Sequence, residues 1–130
     1  MKELLIWGLT SMTFGILEAI LFHNVKGINK GFKDRYGFDI HALFVVIRLA
    51  VLIPLAISVE ETFIFVLVAV FIFPFIHDGF YYQFRHWLNN KSYPKGFLDY
   101  TNTSSAKISL SLAWRIIFFI FGLGMVFVLI

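Results

Sequence analysis

Four long apolar runs constrain this chain more than any other feature. Leu4 to Phe22 is interrupted only by Thr10, Ser11, Thr13 and Glu18. Ala42 to Val59 is interrupted by Arg48 and Ser58, and Thr62 to Phe80 ends in the polar pair His77 and Asp78. Ile108 to Ile130 carries Ser109, Ser111 and Arg115. Each run is close to the roughly 20 residues that a helix needs to cross the hydrocarbon core of a bilayer. The runs are continuous rather than alternating and too long for strands, so the reading is all-α. The expectation is a polytopic membrane protein, residues 1–130 as a single transmembrane domain, with four transmembrane helices at about 4–22, 42–59, 62–80 and 108–130.

The rest of the composition agrees. A soluble domain of 130 residues does not carry 59% hydrophobic and only 15% charged side chains. There is no cysteine, which excludes disulfides, thiolate metal sites and cysteine nucleophiles. The net charge of +3 is modest, and the basic residues sit in loops beside apolar runs. They read as membrane-flanking charge, with membrane lipids rather than nucleic acid as partners.

The connections set the expected topology. Glu60 and Glu61 alone separate the second and third runs, which predicts a tight helical hairpin. The loops at 23–41 and 81–107 hold eight Lys or Arg between them, whereas the other side holds Lys2. The positive-inside rule then places both loops in the cytoplasm and both termini outside, as in a bacterial-type inner membrane. The first run has a weak charged N-region, contains Glu18 and lacks a following A-x-A pattern, so it reads as a retained helix. Between Phe80 and Asn90, apolar residues at helical spacing predict a short interfacial helix with Tyr and Trp at headgroup level. Thr101 to Ser105 offers N-caps for the fourth helix.

Charge inside hydrocarbon is costly and faces a bundle interior, a partner or a water-filled cavity. Gly8, Ser11, Gly15 and Glu18 share one helical face, and His41 and Arg48 share another. Lys107, Ser111, Arg115 and Gly122 form a third stripe. On a rise of about 1.5 Å per residue, Glu18, Arg48 and Arg115 fall at similar depths, with His77 and Asp78 nearer the headgroups. Two readings stay open. In the first, the protein binds or modifies an anionic lipid or similar amphiphile, with or without enzymatic turnover. Glu18, His77 and Asp78 would then supply acid–base chemistry. Arg48, Arg115 and His41 would hold the head, and Glu18, His41, His77 and Asp78 would offer oxygen and nitrogen ligands to a divalent metal. No metal-spacing motif such as HExxH is present. In the second, the charges are interhelical glue in a non-enzymatic homo-oligomeric pore or an assembly subunit of a larger membrane complex.

Overall fold

The computed structural model describes residues 2–24, 33–37, 40–89, 96–98 and 110–129. Among them are four principal helices: α1 (Lys2–Asn24), α2 (Ile40–Ile57), α3 (Thr62–Leu88) and α4 (Leu112–Leu129). A short helical turn at 33–36 and a 3-10 turn at Gly96–Leu98 complete the set. Lys2–His23, Ile40–Ile57 and Thr62–Leu88 are long and apolar enough to cross a membrane, and Leu112–Phe127 forms a shorter apolar helix. Large apolar side chains point outward on all four helices, among them Leu5, Val46, Ile57, Phe63, Ile120 and Phe127. Outward apolar surface on this scale suits lipid rather than water.

The interhelical contacts fix the direction of each helix. Trp7 meets Ala69, Gly15 lies against His77, and His23 Nδ1 is 3.1 Å from Asn89 Oδ1, so α1 and α3 run parallel. Phe71 packs edge-on against Phe121, and Phe75 stacks on Phe119 at 4.4 Å between ring centroids. The order reverses along α4, which is therefore antiparallel to α3. The principal seams are α1–α3 and α3–α4, whereas α2 touches α1 and α3 at few points. An apolar core of Trp7, Leu52, Ala56, Phe65, Val68, Ala69 and Ile72 fills the end nearest the α2–α3 corner.

The corner is as tight as the pair of glutamates implies. The Thr62 hydroxyl proton is shared between the Ala56 and Val59 carbonyls, 3.0 and 2.9 Å from Oγ1, and the Ala56 carbonyl also accepts from the Val59 N–H at 3.3 Å. Pro54 and Pro74 both lie inside helices. Pro74 has no N–H for the Val70 carbonyl. On the neighbouring residue, the Trp7 indole N–H donates to the Ala69 carbonyl at 2.9 Å, pinning α1 beside this weakened turn.

Two expectations change. The interfacial helix does not start afresh after the third run. α3 continues unbroken to Leu88, 27 residues in all or about 40 Å. Gly79 does not break it, because one glycine costs a helix only about 1 kcal/mol. The missing side chain has a use there: a Cβ would overlap the Phe97 ring, which lies across the helix at that point. Phe97 is also edge-on to Phe75 and Phe80, and its N–H donates to Gln83 Oε1 at 3.1 Å. The second change is at α4, which starts at Leu112 rather than Ile108. Ser111 is the residue before it, and the Trp114 N–H reaches back to Ser111 Oγ at 3.4 Å in the manner of an N-cap. The caps expected at Thr101 to Ser105 lie outside the described residues.

Candidate functional site

The stripe on α1 faces α3. Ser11, Gly15 and Glu18 are all buried, and the Ser11 hydroxyl donates to the Trp7 carbonyl at 2.8 Å instead of reaching across the seam. Gly15 lets the two backbones meet, since a methyl group there would overlap the His77 carbonyl. That close approach carries Glu18 to the level of the His77 ring. His77 therefore lies beside Glu18 and Arg48 and not above them. The difference in depth disappears because α3 does not end at Phe80.

One hydrogen-bonded chain links three helices. Asp78 Oδ1 is 2.9 Å from His77 Nδ1. His77 Nε2 is 2.8 Å from Arg48 Nη2 and 3.3 Å from Glu18 Oε1. Arg48 Nη2 donates to Glu18 Oε1. One proton arrangement satisfies the contacts at Nη2 and Nδ1 and leaves the 3.3 Å approach of His77 Nε2 to Glu18 Oε1 as a contact between two acceptors. Nη2 carries two hydrogens, one for Glu18 and one for a neutral His77 Nε2, and His77 Nδ1–H then donates to Asp78. His77 and Asp78 are neighbours on a regular helix, yet both join the chain, because Asp78 reaches the near side of the imidazole. Glu18 and His77 are almost fully enclosed, Arg48 keeps 16% of its side-chain exposure, and Asp78 keeps 33%. The chain thus has a closed end at Glu18 and an open end at Asp78.

Aromatic rings complete the enclosure. The Arg48 guanidinium lies 5.0 Å from the Phe73 ring centroid, 5.8 Å from Phe14 and 5.9 Å from Phe44. Phe73 also stacks on the His77 ring at 4.8 Å. Sequence reasoning missed these three rings, although they follow a pattern: Phe14 precedes Glu18, Phe44 precedes Arg48 and Phe73 precedes His77, each by four residues. An aromatic one turn from an intramembrane charge covers the same helical face.

The remaining predicted site residues lie elsewhere. His41 stacks on Phe22 of α1, with centroids 5.0 Å apart and planes tilted by 19°. Arg115 is fully buried at the α3–α4 seam with its guanidinium over the Tyr82 ring at 5.4 Å. Neither belongs to the Glu18–Arg48–His77–Asp78 chain. Of the four residues nominated as metal ligands, the structure brings together Glu18, His77 and Asp78 without His41. The guanidinium of Arg48 sits between Glu18 and His77, where a cation would have to go. Among the described residues, no group of three or more His, Asp or Glu is placed to hold a metal ion.

Fold and site together define a helical bundle with three helices long and apolar enough to span a membrane and a charged chain buried between them. Comparison with protein-family models, curated proteins and solved structures gives no match for this chain.

Proposed function

We propose that the protein is a non-enzymatic integral membrane protein, an assembly subunit or self-associating bundle, in which Glu18, Arg48 and His77 act as interhelical glue. In this reading all four helices cross the bilayer. Loops 23–41 and 81–107 face the cytoplasm of a bacterial-type inner membrane, both termini lie outside, and the last turns of α3 project past the hydrocarbon.

The observation that carries the reading is that Arg48 Nη2 joins two helices, although Nε is buried without a hydrogen-bond partner. It bonds Glu18 on α1 and His77 on α3 within a box of three phenylalanine rings. A phosphate or carboxylate head seeking Nη2 would have to displace Glu18 and strand a buried carboxylate. Breaking a buried pair in this way costs about 3–5 kcal/mol. Arg48 therefore favours the role of lock over that of ligand binder.

A specific observation supports a second reading, a site for an amphiphile head. The Asp78 carboxylate is one-third exposed and paired with an imidazole, as an acid–base group would be. Metal and phosphorus analysis of the purified protein, combined with its mass in detergent, separates the two. A defined oligomer without stoichiometric metal or lipid phosphorus supports the glue reading. A stoichiometric metal ion or phospholipid that His77→Ala and Asp78→Ala both remove would replace it with the site.

A further inference from the structure

We infer that the turn at Gly96–Leu98 re-enters the bilayer, seating Phe97 in a notch on α3 and presenting Leu98 to lipid acyl chains at the hydrocarbon edge. The 81–107 connection is then anchored to the membrane near its middle. The inference rests on the membrane-spanning part of the proposed reading and is independent of the Arg48 lock.

The chain leaves α3 at Leu88, yet Gly96–Leu98 lies back alongside the helix rather than beyond its end. The Phe97 ring is edge-on to Phe75 at 5.3 Å and to Phe80 at 5.4 Å, and it occupies the space that a side chain at Gly79 would need. Gly79 is nine residues before Leu88, so the chain has returned by about 14 Å along the helix axis. Gly79 is also two residues from His77, within roughly 3 Å of its level and on another face of α3. The turn thus stands close to the depth of the buried charged chain.

α4 supplies a second marker of that level. Phe119 stacks on Phe75 where the two helices run antiparallel. Trp114 is five residues from Phe119, and Gly79 is four from Phe75 in the same direction along the bundle. Trp114 and Gly79 therefore lie within roughly 2 Å of one level. Trp114 is 53% exposed, and Ile116, Ile117 and Ile120 are exposed deeper along the same helix. An outward tryptophan followed by outward aliphatic side chains marks the passage from headgroups into hydrocarbon.

The turn also has what irregular backbone needs at this depth. Polar groups that leave water must be paired or enclosed by protein. Gly96 is buried, and the Phe97 N–H donates to Gln83 Oε1 at 3.1 Å. Gly96 has a φ of 51°, and a side chain on it would press on Gln83 Oε1, so the seat requires glycine on both of its sides. Leu98 is the apolar residue left facing outward, 49% exposed. Lys95 and Asp99 flank the turn in sequence and confine the dip to three residues.

The chain contains no cysteine, so single introduced cysteines can be spin-labelled without background. Leu98→Cys reports the turn, Ile120→Cys a lipid-facing helix position and Lys33→Cys a loop position, and all three sites are exposed. Power saturation in lipid nanodiscs compares access to oxygen, which concentrates in hydrocarbon, with access to a nickel chelate, which stays in water. Labels at Leu98 and Ile120 should favour oxygen, and the label at Lys33 should favour nickel. Adding Gly79→Leu fills the notch and adding Phe97→Ala removes the anchor. Each should shift Leu98 to the nickel-favouring side and leave Ile120 unchanged. Phe97→Ala adds no bulk to α3, so it remains a test where Gly79→Leu fails to fold. A nickel-favouring Leu98 in the parent overturns the re-entry, and a Leu98 that still favours oxygen after Phe97→Ala overturns the seat. A nickel-favouring Ile120 would instead remove the membrane-spanning reading beneath both.

Discussion

At the scale of single residues, the structure turns on groups whose neighbours supply what lipid cannot. Trp7 is the clearest case outside the charged chain. Its indole N–H is buried against the Ala69 carbonyl, so Trp7→Phe should keep most of the packing and lose one hydrogen bond. The expected cost is about 1 kcal/mol in detergent unfolding, against about 3–5 kcal/mol for Trp7→Ala. Gly15 has the opposite sensitivity. Gly15→Leu must push α1 away from the His77 carbonyl, and we expect it to destabilise by about 1–3 kcal/mol or more and to loosen the whole α1–α3 seam. Amide hydrogen exchange of α1 against α4 checks this, because only the α1 side should lose protection. Glu18, Arg48, His77 and Asp78 could be singled out from sequence because charge among apolar residues stands out. Phe14, Phe44 and Phe73 are three among 17 phenylalanines, and only their position four residues before a polar member of the chain sets them apart. Which phenylalanines cover a charge depends on helix rotation, which composition does not carry.

At the scale of elements, existence was legible and boundaries were not. Each apolar run contains a helix because lipid-length hydrophobicity leaves few alternatives. The ends respond to contacts distant in sequence. Ser111 caps α4 three residues into the expected span, and the Phe97 ring crosses α3 at Gly79, where the sequence suggested a new helix. Gly79 therefore serves the loop more than the helix. Gly79→Ala should leave the helix content measured by circular dichroism unchanged or slightly higher, since alanine is the better helix former. The same change should displace the turn at Gly96–Leu98 and speed proteolysis there. Loss of α3 helicity instead would show that Gly79 is needed by the helix itself. The direct packing of α1 on α3 was equally hidden. It follows from small residues on one face meeting a particular turn of a helix more than fifty residues away.

At the scale of the whole molecule, the alternating helix directions place the start of α1 and the end of α4 at the end of the bundle that holds the α2–α3 corner. That arrangement gives the charge asymmetry of the loops a simple test. A reporter fused after Lys33 or Lys95 should behave as cytoplasmic and one at the C-terminus as external, and a cytoplasmic C-terminus would invert the orientation proposed for the bundle. The four principal helices among the described residues could be read from sequence, but the partner of Glu18 could not, because Arg48 and Arg115 stood at similar depth. The structure pairs Glu18 with Arg48 and seats Arg115 over Tyr82. The most direct test of the account is a double-mutant cycle between Glu18→Leu and Arg48→Leu, read as unfolding free energy in detergent. Either single change should cost about 3–5 kcal/mol, because it strands a buried charge. The double variant should recover about 2 kcal/mol or more, and a parallel cycle between Glu18 and Arg115 should show coupling near zero. Additive losses for Glu18 and Arg48, or coupling that appears with Arg115 instead, would contradict the lock on which the whole reading depends.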